Sequence, residues 1–190
     1  VAAAGCSSYR VPEPTQGIHE TTLELRGGRR LTLVEVGGTT RLLPLWSRLL
    51  RIADAVVYVV DFADPDSWAE ARDRLHGFLL IDRSFAESRV PVLLLAAKAD
   101  AARHGRPAVS LVRELRLCRI RHHRWHLQSV SAARRRDDEP ADKSLGRAVR
   151  LLLRLVDDNR HWKRRQQRLQ AVRAAFSDRS GSGPGSDSGC

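Results

Sequence analysis

Three short segments of the sequence carry residue types that suit the binding of a phosphorylated purine. Glu35-Val36-Gly37-Gly38 joins a carboxylate, which can face a cation, to paired glycines, whose backbone N–H groups can approach a phosphate. In Ala97-Lys98-Ala99-Asp100 the Asp carboxylate can accept two N–H bonds from a guanine edge, and the Lys stem can cover the ring. The small residues 129–133 leave room for a backbone N–H to meet the guanine carbonyl. Each segment by itself is more simply interpreted as a turn or a strand end, so its function has to be judged from the secondary-structure elements around it.

All three segments follow predicted strands. Alternation of polar and apolar residues predicts a hairpin of strands 18–25 and 30–36, whose turn contains Gly27 and Gly28. Continuous apolar runs predict buried strands at 55–61, 90–97 and 125–130, and helical spacing predicts helices at 41–52, 66–80, 109–117 and 145–156. Strands that alternate with helices indicate an α/β fold with a mostly parallel sheet covered on both sides. Ligands of such sheets bind at the carboxyl ends of the strands, and the segments lie there.

The composition excludes several classes of protein. Hydrophobic residues make up 42% of the 190 residues, which is too many for a disordered chain. The longest apolar runs have the length of a strand, so no segment is expected to span a membrane as a helix. The three cysteines are far apart in sequence, which favours a reducing compartment over a disulfide framework. We therefore expect a cytoplasmic protein with one globular domain.

Positive charge is concentrated in the second half of the chain. The formal net charge is +11, yet residues 1–100 carry 12 basic and 13 acidic residues. Residues 101–156 carry 14 basic and 5 acidic residues, and residues 157–190 carry 7 and 4. The helical pattern continues from residue 159, with basic residues around Trp162 and Leu169. An anionic membrane is therefore a candidate partner of the basic regions, with the membrane periphery or the nucleus as the alternative location. A nucleic acid is disfavoured, because no nucleic-acid-binding motif is present.

Further motifs flank the three segments in a fixed order. Pro14-Thr15-Gln16-Gly17 is followed twenty residues later by Val34-Glu35-Val36-Gly37-Gly38. Leu42-Leu43-Pro44-Leu45-Trp46 comes next, and Trp125-His126-Leu127-Gln128 precedes the last segment. These motifs resemble, in the same order, the Pro-Thr-x-Gly, Trp-Asp-Val-Gly-Gly, Arg-Pro-Leu-Trp and Trp-x-x-Gln motifs of the Arf and Arf-like small GTPases. The resemblance covers about residues 2–158.

The resemblance implies the P-loop small-GTPase fold, an α/β fold with a mostly parallel sheet and one antiparallel hairpin. The first, central strand of that fold is expected to be absent from this chain. An N-terminally incomplete GTPase domain would span residues 1–158, followed by a basic helical extension at 159–176 and a flexible Ser/Gly tail at 177–190.

The implied function is a GTP-binding molecular switch in membrane trafficking or signalling. It would bind GTP or GDP with Mg²⁺ and engage effector and regulatory proteins as a monomer. Residues 15–17 and 37–46 would form its switch regions.

The resemblance also assigns the site residues. The phosphate loop would comprise Ala4, Gly5, Cys6, Ser7 and Ser8, and the Mg²⁺ ligands would be Ser7, Thr15 and Glu35. The N–H of Gly38 would meet the γ-phosphate, and Thr39 would occupy the catalytic position. The base would lie against Ala97, Lys98, Asp100, Ser131 and Ala132.

Four diagnostic positions depart from the family pattern. Cys6 replaces the phosphate-loop Lys, Glu35 the Asp near the metal, Thr39 the Gln that orients the attacking water, and Ala97 the Asn of Asn-Lys-x-Asp. A neutral thiol supplies no positive charge, and the longer Glu would crowd an octahedral Mg²⁺. Only residues 9–13 separate the phosphate loop from Pro14, which is about two helical turns too few. We therefore expect weakened nucleotide binding and hydrolysis; the alternative is a pseudo-GTPase, a protein-interaction module that binds no nucleotide.

Overall fold

The computed structural model describes residues 15–25, 27–37, 40–81, 89–131 and 143–180 of the chain. Within them, the side chains of residues 40, 43, 47, 51, 78–81 and 172–180 are left out of the description. The chain divides into two compact units, Val1–Leu50 and Arg51–Cys190.

The first unit contains an antiparallel hairpin. Strand β1 (Ile18–Leu25) pairs with β2 (Arg29–Val36), and the register runs from Ile18 opposite Val36 to Leu25 opposite Arg29. The turn places Gly27 and Gly28 at φ values of 81° and 71°, a left-handed conformation that glycine adopts without a steric cost. A 3-10 turn at Thr40–Leu42 then leads into helix α1 (Leu43–Ile52). The predicted hairpin is confirmed.

The second unit is a three-stranded parallel sheet with helices between its strands. The elements follow one another as β3 (Val56–Asp61), α2 (Trp68–Ile81), β4 (Val92–Ala97), α3 (Ser110–Glu114), β5 (Trp125–Ser129) and α4 (Lys143–Ser180). The strand order is β3-β4-β5, so β4 lies in the centre, with Val92 opposite both Val56 and Trp125. A mostly parallel sheet with one antiparallel hairpin is therefore confirmed, as the sequence predicted.

The core of the second unit is built around the central strand. Val92, Leu93 and Leu94 are each 1% exposed or less, although successive side chains of a strand point to opposite faces of the sheet. Both faces of β4 are therefore covered, which explains its continuous apolar run. Helix α2 adds Leu75, and helix α4 adds Leu152 among other buried side chains.

The start of α2 is fixed by short-range hydrogen bonds. A 3-10 turn at Pro65–Ser67 precedes α2. The Asp64 carboxylate caps this turn by accepting the N–H of Asp66 at 3.2 Å, and Pro65 begins it, where its missing N–H costs nothing. The Tyr58 hydroxyl donates to the carbonyl of Ala71 at 2.8 Å and so joins β3 to α2. This connection sets where the chain leaves β3, which is one edge of the candidate site.

Helix α4 is a single helix of 38 residues. It unites the predicted helix 145–156 with the basic continuation, and it runs to Ser180, past residue 177, where the Ser/Gly segment begins. Two contacts hold its middle: Arg160 Nη2 lies 2.5 Å from Asp54 Oδ2, and the Arg89 guanidinium lies 4.8 Å from the Trp162 ring centroid. No helix in the described part of the chain is both long and apolar enough to cross a membrane.

Strand β3 pairs with β4 alone among the described strands. Val57 and Val59 on this edge strand are 38% and 61% exposed. The expected absence of a central first strand, and the three-part division of the chain, stay predictions.

Candidate functional site

The segments that follow β4 and β5 lie side by side. The Val130 N–H donates to the Ala96 carbonyl at 2.9 Å, and the Ala99 N–H donates to the Val130 carbonyl at 3.2 Å. The Asp100 N–H completes the set by donating to Ser131 Oγ at 3.2 Å. Since β4 and β5 are parallel neighbours, their carboxyl ends meet at one edge of the sheet, and these bonds fix the two loops against each other. We call residues 97–100 and 129–131 the base loops.

The base loops are attached to the first turn of α4. The Ser131 N–H donates to Ser144 Oγ at 3.1 Å, and Ser144 is only 5% exposed. A serine at a helix start offers its oxygen to a backbone N–H that otherwise has no partner. Ser144 therefore positions the second base loop from beneath. Ser144 cannot be predicted from the sequence, because nothing in the sequence tells which distant N–H a serine near a helix start will accept a hydrogen bond from.

Asp100 presents a free carboxylate at this edge. Its side chain is exposed and accepts no hydrogen bond from the described residues, while its backbone is held by Ser131. A carboxylate fixed through its own backbone and open to solvent can accept two parallel N–H bonds from a planar ligand edge. The structure thus brings together the predicted base-binding residues Asp100 and Ser131.

Lys98 is tied to the neighbouring strand. Its backbone is left-handed, with φ of 57°, and its Nζ lies 2.5 Å from Asp61 Oδ2. The hydrogen bond that the Lys98 ammonium donates to Asp61 is the main cause that raises its pKa above the ordinary value. The other Asp61 oxygen accepts the Ala63 N–H at 3.0 Å. The ammonium is thereby directed toward β3, and the Lys98 stem remains the part that can cover a base.

Asp61 is the second residue that the sequence analysis did not assign to the site. The signal was present, since an apolar strand that ends in a carboxylate places that group at the ligand edge. Ala97 lies opposite Asp61 at the end of β4, and its methyl group offers neither donor nor acceptor.

The first unit brings the predicted residues Thr15 and Glu35 into contact. The Thr15 hydroxyl donates a hydrogen bond to Glu35 Oε1. The Gly37 N–H donates to the Gly17 carbonyl at 3.0 Å, so the pairing of β1 and β2 continues beyond Ile18 and Val36. A Cβ on Gly37 would lie 2.1 Å from the Thr15 carbonyl oxygen, far inside van der Waals contact. Only glycine therefore fits at position 37.

Thr15 and Glu35 fit a Mg²⁺ ion in donor type. Hydroxyl and carboxylate oxygens are hard ligands, and their direct hydrogen bond places both oxygens within reach of one cation. In the part of the chain that the structure describes, no group of three His, Cys, Asp or Glu side chains could hold a metal. The described residues would therefore supply part of a coordination sphere, and phosphate oxygens and water would have to supply the rest.

The remaining predicted site residues lie outside the described ranges. They are the phosphate-loop set Ala4, Gly5, Cys6, Ser7 and Ser8, the γ-phosphate and catalytic positions Gly38 and Thr39, and the predicted base-binding residue Ala132. Their assigned roles stay predictions.

Comparison with known proteins identifies the relatives of this chain. Residues 6–147 match the family model described as Arf, the ADP-ribosylation factor family. Solved structures of similar fold include the Arl6 BBS3 small GTPase from Trypanosoma brucei with the bound nucleotide analogue GppNp. That structure has a TM-score of 0.66 and 22% sequence identity, over 79% of this chain and 85% of that chain. At this identity the likeness establishes the fold. Because the family match spans well over half of the sequence, the chain belongs to the ADP-ribosylation factor family.

Proposed function

We propose that this protein is a guanine-nucleotide-binding switch whose affinity for nucleotide is weakened. The observation that carries the proposal is the pair of base loops, which are joined by backbone hydrogen bonds and present the Asp100 carboxylate to solvent. A guanine ring offers two N–H donors on one edge, and a carboxylate with a fixed backbone matches them. Adenine has no such pair of donors, so the site distinguishes guanine from adenine.

The weakening follows from two substitutions. Ala97 cannot donate or accept a side-chain hydrogen bond, and Cys6 has no positive charge to meet phosphate oxygens. A charge-assisted hydrogen bond contributes about 1.5–3 kcal/mol and a neutral one about 0.5–1.5 kcal/mol. Together these losses come to about 2–4.5 kcal/mol. Since about 1.4 kcal/mol is tenfold in affinity, we expect binding roughly 30- to 1,500-fold weaker than that of a family member with Lys and Asn at these positions.

Hydrolysis is expected to be slow without an outside group. Thr39 stands where a Gln would orient the attacking water, and its side chain is too short to hold water in the same place. Bound GTP would therefore leave by dissociation rather than by hydrolysis, and the switch would depend on exchange or on a partner for its return to the other state.

A titration with fluorescent GTP, with GDP and ATP as competitors, tests the proposal. We expect weak binding that GDP competes for and ATP does not. Asp100→Ala should weaken binding at least tenfold, because it removes both acceptors of the base. Asp73→Ala is the control, since it removes another exposed carboxylate, on α2. Affinity equal to that of an intact family member, or no difference between the two variants, would refute the proposal.

The alternative is a pseudo-GTPase that binds partners and no nucleotide. The Ala97 methyl group and the Lys98 ammonium, which is held by Asp61, favour it. The double variant Ala97→Asn with Cys6→Lys separates the two functions. If the wild type is folded by circular dichroism and neither it nor the double variant binds GTP at millimolar concentration, the pseudo-GTPase function is supported. A gain in affinity in the double variant supports the weakened switch.

We further infer that residues 15–17 and 37–46 contact effector and regulatory proteins, and that a monomeric protein acts in trafficking or signalling in the cytoplasm. Exposed bases on α4, among them Arg164, Arg165 and Arg168, support binding to an anionic membrane surface. Flotation with vesicles that contain anionic lipid tests this, and charge reversal at Arg164 and Arg165 should abolish it. Binding to neutral vesicles as well, or tight binding to a nucleic acid instead, would contradict it.

A further inference from the structure

The segment 15–17 is held on the hairpin by three contacts, all within the first unit. The Gly37 N–H reaches the Gly17 carbonyl at 3.0 Å, the Thr15 backbone lies directly on Gly37, and the Thr15 hydroxyl donates to Glu35. Gly17 has φ of 97°, a backbone conformation that only glycine adopts readily. The segment is therefore positioned by the polypeptide itself.

The contact between Thr15 and Glu35 depends on the length of the Glu side chain. Thr15 is partly buried whereas Glu35 is exposed, so the carboxylate reaches back from the surface to meet the hydroxyl. An Asp at position 35 would end one methylene earlier and leave a gap that water would have to fill. A hydrogen bond to an ionised acceptor is also stronger than one between neutral groups.

We propose that Thr15 and Glu35 form a latch that holds residues 15–17 on the hairpin without a cation. The carboxylate accepts a hydrogen bond from the hydroxyl, so the conformation of residues 15–17 is set by the chain rather than by Mg²⁺. A partner that recognises this conformation would bind the nucleotide-free protein. This regulatory consequence rests on the proposed function, whereas the latch itself does not.

Hydrogen exchange of the purified protein in EDTA, followed by mass spectrometry of peptides that cover residues 15–18 and 34–37, tests the latch. We expect the Gly37 amide to be protected in the wild type without added cation. Thr15→Val keeps the side-chain shape and removes the donor, and it should speed exchange of this amide about tenfold, since about 1.4 kcal/mol corresponds to one decade. Glu35→Gln should have a smaller effect, because its amide oxygen still accepts, and Glu35→Asp an effect like that of Thr15→Val.

Thr21→Val is the control for the loss of a threonine hydroxyl, since Thr21 is exposed on the same hairpin. Its exchange should match that of the wild type. The latch is overturned if the wild type shows protection only after Mg²⁺ is added, or if Thr15→Val and Thr21→Val are indistinguishable in EDTA. A parallel titration with fluorescent GTP reports separately on the proposed function, so a failure of nucleotide binding leaves the result on the latch intact.

Discussion

Replacement of Ser144 by Ala tests whether the base loops depend on the first turn of α4. Ser144 Oγ accepts the Ser131 N–H at 3.1 Å and is almost fully buried. The Ala variant removes this acceptor, so the Ser131 N–H loses this hydrogen bond. A lost hydrogen bond costs about 0.5–1.5 kcal/mol, and a buried donor without a partner about 1–3 kcal/mol. Because Ser131 is partly exposed and water can reach it, we expect a loss of about 1–2 kcal/mol in the free energy of unfolding.

Ser110→Ala is the matched control for this substitution. Ser110 Oγ is also buried, but it has no hydrogen-bond partner among the described residues. Its removal takes away a desolvated hydroxyl and should change the free energy of unfolding by less than about 0.5 kcal/mol, or raise it.

Urea denaturation measures both variants. Thermal melts should show a Tm for Ser144→Ala that is lower by about 2–8 °C, given about 2–4 °C per kcal/mol for a chain of this size. Equal stability of Ser144→Ala and Ser110→Ala would refute the reasoning. A stable Ser144→Ala that nevertheless loses GTP affinity would mean that Ser144 acts on the ligand site and not on the fold.

Four further substitutions test other parts of the structure. Gly37→Ala should disrupt residues 15–17, because its Cβ would lie 2.1 Å from the Thr15 carbonyl oxygen. Gly77→Ala, which has open space around it in helix α2, should raise the free energy of unfolding by up to about 1 kcal/mol. Hydrogen exchange and urea denaturation compare the two variants. Burial lowers the pKa of His123 below 6.5, so the contribution of His123 to stability is full above pH 6.5 and is lost as the pH falls. In urea denaturation at several pH values, His123→Asn should therefore lose less stability on acidification than the wild type. Burial raises the pKa of Tyr58 to about 12, so the contribution of Tyr58 to stability is full below pH 10 and is lost as the pH rises. Tyr58→Phe should lower the free energy of unfolding by about 1 kcal/mol at pH 7, because the hydrogen bond to Ala71 is lost. In the same assay, the variant should lose less stability at alkaline pH than the wild type.

Most of the secondary structure follows from local pattern. The apolar runs at residues 55–61 and 90–97 correspond to β3 and β4. Strand β4 is covered on both faces and therefore needs an unbroken apolar run, whereas β3, which the sequence predicted to be buried, leaves Val57 and Val59 exposed. The paired glycines 27 and 28 mark the hairpin turn because their φ values are positive. The helix predicted at 109–117 is shorter in the structure, at Ser110–Glu114. Arg116 there has a left-handed backbone, with φ of 50°, that the apolar spacing does not report.

The sequence by itself determined the residue types of the candidate site residues in each unit and the order in which they occur. Asp100, Ser131, Thr15 and Glu35 are recognisable because they follow strands or stand in motifs with fixed spacing. Only the tertiary structure decided which of these groups meet. The Ser131 N–H reaches Ser144, Lys98 reaches Asp61, and Thr15 reaches Glu35 across 20 residues. The reason is that a hydrogen bond depends on distance and direction within a few tenths of an ångström, and spacing along a chain does not contain that information until the strands are paired.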